Sequence, residues 1–97
     1  MNSNEENKEQ TRMLKIANNL GLHARAAGKI VALANQFNAT LMLRKDKQEV
    51  DGSSILSILT LSCPKGTEVE AKIVGEDCEA FMERLTELFS DKFGEEA

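Results

Sequence analysis

The stretch GLHAR, residues 21–25, contains the only histidine of the chain and sets it two residues before an arginine. An imidazole can attack phosphorus as a nucleophile, and a guanidinium can hold phosphoryl oxygens through charge-assisted hydrogen bonds. The position matters as much as the residue types. The residues before His23 read as a strand and a turn, and those after it as a helix, so it falls at or beside a helix N-cap. The first-turn N–H groups of a helix have no partner inside it, and the dipole adds partial positive charge at that end. Such an end suits an anion. The same field favours the neutral ring, which keeps a lone pair. Gly21 and Ala24 are small and should leave the approach open. The chemistry suggested is a phosphoryl group accepted by His23, held by Arg25 and the helix amides, and then given away. On the residues alone a second reading stays open, since a lone histidine at a turn is often only a polar loop residue.

Little else in the chain competes for chemistry. Cys63 and Cys78 match no common zinc or redox spacing and read as two buried free thiols. One histidine with no cysteine nearby argues against a metal, and nothing calls for a cofactor. No glycine-rich phosphate loop and no second catalytic group are visible. The net charge of −4 argues against nucleic acid as a partner. No apolar run reaches the length needed to cross a membrane. The opening MNSNEENKEQ lacks the apolar core of a secretion signal and reads as a loose polar tail over residues 1–10, so the cytoplasm is expected. The rest, residues 11–97, fits one domain with a thin core.

The elements that must position His23 can be read from periodicity. Residues 12–17 alternate and suit a strand, with Asn18, Asn19 and Gly21 turning out of it. Ala24 to Phe37 suits a helix whose buried stripe is Ala27, Ile30, Val31, Ala34 and Phe37. Ala39 to Lys45 suits a second strand, followed by a turn over residues 45–48 and a short return strand from Glu49 to Asp51. A short apolar helix follows Ser53 and Ser54, either of which can cap it, and Pro64 and Gly66 end it. Thr67 to Val74 is the clearest strand, with Val69, Ala71 and Ile73 on one face. Asp77 can cap a last helix whose stripe is Cys78, Phe81, Met82, Leu85, Leu88 and Phe89. The order predicts a two-layer α+β domain, a mostly antiparallel four-stranded sheet with three helices on one face.

The short helix carries its own question. It is apolar nearly all round, so Ile55 and Leu56 are either core or an exposed patch. Ser54 is either a plain cap or a modification site, and Ser53 competes with it. A phosphate at that helix start adds about −1.5 to −2 charge. It should not unfold the helix, but it would weaken docking at the edge of an apolar patch.

GLHARAAGKIV resembles the active-site motif of the HPr family, the histidine-containing phosphocarriers of the bacterial phosphoenolpyruvate-dependent phosphotransferase system. SSILSIL lies where that family has a regulatory serine and a short apolar helix, and the likeness runs from Arg12 to Phe93. The resemblance implies the β-α-β-β-α-β-α open-faced sandwich of the family. It implies that His23 carries the phosphoryl group on Nδ1 and that Arg25 interacts with it. It implies that Ser54 matches the serine that a dedicated ATP-using HPr kinase modifies in many bacteria. Partners would dock on Ala24, Ile55, Leu56 and Leu59. Enzyme I would be the donor and an enzyme IIA-type domain the acceptor, with the protein a monomeric relay rather than a self-sufficient enzyme. A nitrogen-branch or docking-only regulator is the alternative, and the closing LFSDKFGEE has some likeness to the nitrogen branch. The family usually has proline directly after the arginine, whereas this chain has Ala26. The helix should still start there, with a slightly looser turn and altered transfer kinetics.

Overall fold

A computed structural model describes residues 8–97. Seven residues of the expected tail fall outside them. Of the remainder, Glu9 and Gln10 are paired in a strand with Val74 and Ile73. Strand β1 therefore spans Glu9–Lys15, and it is followed by α1 (Ala24–Ala34), β2 (Thr40–Lys45), β3 (Gln48–Asp51), α2 (Ile55–Leu59), β4 (Glu68–Val74) and α3 (Cys78–Ser90). A short 3-10 turn over Lys92–Gly94 closes the series. The four strands form one antiparallel sheet in the order β1-β4-β2-β3. This is the α+β open sandwich that the periodicities predict.

Alternation along β4 decides which face is covered. Val69, Ala71 and Ile73 are fully buried, joined by Leu14, Leu41 and Leu43 from the neighbouring strands. Met13 points to the open face and is more than half exposed. In α1 the buried residues are Ala26, Ala27, Ile30, Leu33 and Ala34. Val31 and Phe37 are only partly buried against that core. The helix ends at Ala34, three residues before the predicted end, with Asn35 as its C-cap. Phe37 reaches the core from the loop instead, stacked on Phe81 of α3 with ring centroids 5.1 Å apart. Burying an aromatic face in this way needs no helical backbone.

Asp77 stands at the start of α3 but makes no side-chain bond to it. Its carboxylate accepts from the Asn38 N–H at 2.7 Å, while its own N–H donates to the Asn38 carbonyl. Its backbone lies outside the extended region from which a capping side chain reaches back to its helix. It clamps the α1–β2 loop instead. Cys63 and Cys78 are both buried and free. Burial pushes the Cys63 thiol up, with nearby Lys45 opposing, which disfavours the thiolate form.

Candidate functional site

His23 is the N-cap of α1. Its backbone is extended, and its carbonyl accepts the Ala27 N–H at 2.9 Å. Its Nδ1 accepts from the Arg25 N–H at 3.3 Å. An imidazole therefore does the work usually given to a serine or aspartate oxygen. One consequence is that the Nδ1 lone pair points into the open first turn of the helix. The Ala26 N–H beside it finds no acceptor among the described residues, so the residue that replaces the family's proline leaves one more donor at this end. Helix α1 begins at Ala24 all the same, and Ala26 is fully buried. Arg25 is exposed at the rim and forms no ion pair among the described residues.

The turn that presents the ring is locked from below. Leu22 donates to the Cys63 carbonyl at 2.8 Å, and Gly66 to the Ile16 carbonyl at 2.7 Å. Gly21 has φ +73, and a Cβ there would sit 2.6 Å from the Cys63 oxygen. The glycine thus permits a left-handed turn against another loop. It lies under the site and does not open the approach to it, which corrects the expectation from its size. Asn18 is fully buried behind this turn, and its Nδ2 donates to the Gly21 carbonyl at 2.7 Å.

The other edge of the imidazole meets a group that nothing in the local sequence signals. Nε2 of His23 is hydrogen-bonded to Oε2 of Glu95, and Oε1 of that carboxylate accepts from Asn18 Nδ2 at 3.0 Å. The bonds from His23 and then from Asn18 hold the Glu95 carboxyl below the usual carboxylate range, helped by the nearby Lys29 charge. The chain reaches this position through three successive left-handed residues, Lys92, Phe93 and Gly94. Phe93 is buried against Phe89 with ring centroids 4.9 Å apart, and its carbonyl accepts from Lys29 Nζ at 2.5 Å. Asn19 N–H donates to the Ala97 carbonyl at 3.0 Å. Glu95 thus stands beside the histidine although the sequence analysis did not single it out. The signal available was slight: a phenylalanine and a carboxylate two residues apart after a helix end.

Around the histidine the predicted docking residues separate. Ala24 is exposed beside it. Leu56 is 78% exposed and Ile55 is 39% exposed, with the Ile55 Cδ1 lying against Gly28 of α1. Leu59 is partly buried and packs on the core, so it contributes less to an exposed patch than the sequence suggests. Ile58 is the one fully buried residue of α2. Leu20, in the turn before His23, is 72% exposed, and the sequence reading did not single it out. Ser54 caps α2, its Oγ accepting from the Ser57 N–H at 3.2 Å. Ser53 instead donates to Asp51 through its N–H at 2.8 Å and its Oγ at 2.7 Å, and the backbone bond, then the hydroxyl bond, hold the Asp51 carboxyl low.

An open-faced α+β sandwich whose first helix is capped by its one histidine defines a narrow class of small domain. Residues 10–91 match the family model described as the phosphotransferase-system HPr component phosphorylation site. The phosphocarrier protein HPr of Xylella fastidiosa is 37% identical over 83 residues, 86% of this chain and 93% of that protein. The corresponding protein of Neisseria meningitidis is 39% identical over 82 residues, 84% of this chain and 92% of its own length. Among solved structures, HPr from Thermoanaerobacter tengcongensis superposes with a TM-score of 0.86 at 34% identity, covering 91% of this chain and 99% of that one. The chain belongs to the HPr family.

Proposed function

We propose that this protein is the phosphocarrier of a phosphotransferase system and that His23 Nδ1 is the atom that carries the phosphoryl group. The observation that supports this most is the orientation of the ring. Nδ1 faces the open N-terminus of α1, where the amides of Arg25 and Ala26 can receive phosphoryl oxygens, while Nε2 is occupied by Glu95. Arg25 stands at the rim, free to close on the group.

Phosphorylated enzyme I is the donor in this reading and an enzyme IIA-type domain the acceptor. Both dock on Ala24, Ile55 and Leu56, with Leu59 beneath. Modification of Ser54 by an HPr kinase/phosphorylase would set charge at the edge of that patch. The protein acts as a monomer in the cytoplasm. Among the described residues no helix is long and apolar enough to cross a membrane, which is compatible with that setting.

The test is phosphorylation from phosphoenolpyruvate by enzyme I, read by intact mass and by acid lability. Wild type should gain one phosphoryl group that acid removes, and His23→Ala should gain none. A folded wild type that gains nothing from a competent enzyme I would refute the proposal.

A further inference from the structure

The site holds a second group whose placement the fold spends several unusual residues to achieve. Glu95 lies far from His23 in sequence, yet its carboxylate bonds the ring nitrogen opposite the one that caps the helix. The carboxylate is itself held by Asn18, which is fully buried and fixed by the Gly21 carbonyl. The backbone before it is fixed by the burial of Phe93 and by Lys29. Both partners are largely shielded, with side-chain exposures of 28% for His23 and 16% for Glu95. Shielding strengthens a charge-assisted bond relative to one in open water.

We infer that Glu95 is a positioning residue of the phosphoryl relay, fixing the proton of His23 on Nε2 so that the Nδ1 lone pair is the one presented to phosphorus. The inference rests on the phosphocarrier reading and adds a residue to it. In acceptance the Nδ1 pair forms the N–P bond while the donor's bond to phosphorus breaks and its electron pair leaves with the donor. The ring then holds a substituent on Nδ1 and a proton on Nε2, so it bears positive charge that the Glu95 carboxylate faces. In delivery the N–P bond breaks and its electrons return to Nδ1 as the acceptor attacks phosphorus. The Nε2 proton never leaves. An anionic partner on the far nitrogen thus orients the ring and offsets the charge that builds on it, the role a carboxylate plays behind a catalytic histidine elsewhere.

Two measurements test this, with Glu95→Gln, Glu95→Ala and Glu95→Asp. The first needs no partner protein: nitrogen-15 and proton NMR of the His23 ring. Wild type should show a pyrrole-type Nε2 bearing a proton protected from exchange, and Glu95→Ala should lose that protection. The second is the maximal rate and KM for phosphorylation by enzyme I. Loss of a charge-assisted bond predicts a drop in maximal rate of about 10- to 100-fold in Glu95→Ala. KM should stay near wild type, because the docking patch is untouched. Glu95→Gln, close in shape, should fall between, and Glu95→Asp should recover part of the loss. Wild-type maximal rates in both Glu95→Gln and Glu95→Ala, or an Nε2 proton equally protected without the carboxylate, would overturn the inference. A wild type that cannot be phosphorylated at all would fail the carrier reading instead, and the NMR result would stand apart from it.

Discussion

The two nitrogens of His23 have different neighbours, a helix amide at Nδ1 and a carboxylate at Nε2, and that asymmetry is the central chemical fact of the site. It also gives Glu95 a testable titration. A carboxyl held low in the folded state stabilises the closed site fully above its unfolded pKa, and the contribution is lost as pH falls through the folded value. The groups facing it are His23, Asn18 and Lys29. The contribution of this carboxyl to the contact should therefore be fully present above the ordinary carboxylate range and fade only below it. A carbon-13 titration of the Glu95 carboxyl should show a depressed midpoint in wild type and a return toward the ordinary value in His23→Ala. An unchanged midpoint in the variant would remove the ring as the cause.

At the scale of elements, the proposed relay assigns chemistry to α1 and recognition to α2. Helix α1 supplies the Arg25 amide, bonded to Nδ1, and beside it the Ala26 amide, which has no acceptor among the described residues. Helix α2, five residues long, buries Ile58 and turns Leu56 outward. Ile55 rests on Gly28, so replacing it would disturb helix packing as well as docking. Leu56 is the cleaner probe. Leu56→Glu should change stability by no more than about 0.5 kcal/mol, as expected of an exposed substitution. It should nonetheless raise the KM for enzyme I while leaving the maximal rate near wild type. Urea unfolding and steady-state kinetics would check both halves. An unaltered KM would place docking elsewhere, with the exposed Leu20 as the next surface to examine.

For the molecule as a whole, the closing segment ties the end of the chain to the first helix. Phe93 is its anchor, almost completely buried despite a left-handed backbone of a kind that costs roughly 1–3 kcal/mol. Burial of the ring offsets that strain. Phe93→Ala should lower stability by about 3–5 kcal/mol and release Glu95 from the imidazole. The loss would appear in chemical denaturation and in faster exchange of the Nε2 proton. A variant that lost stability but kept the protected proton would show that Asn18 and Lys29 hold the segment without the ring.

Much of this architecture was legible because it depends on local pattern. Alternation in β4, the stripe along α3 and the serines before α2 each specify an element within a few residues, since side-chain period and cap chemistry act at short range. The same logic placed His23 at a helix start and so pointed to phosphoryl chemistry, and the GLHAR and SSILSIL motifs carried the family likeness from sequence alone. What only the tertiary structure decided lies in contacts between residues distant in the chain. Asp77 looks like a cap but bonds Asn38, Gly21 looks like an open approach but packs under Cys63, and Leu59 looks like part of a patch but rests on the core. Glu95 reads as one more acidic residue in a polar ending until three left-handed residues and the buried Phe93 carry it to the imidazole. No periodicity encodes such a meeting, because it depends on where the strand turn and the last helix end in space, and only packing of the whole core sets that.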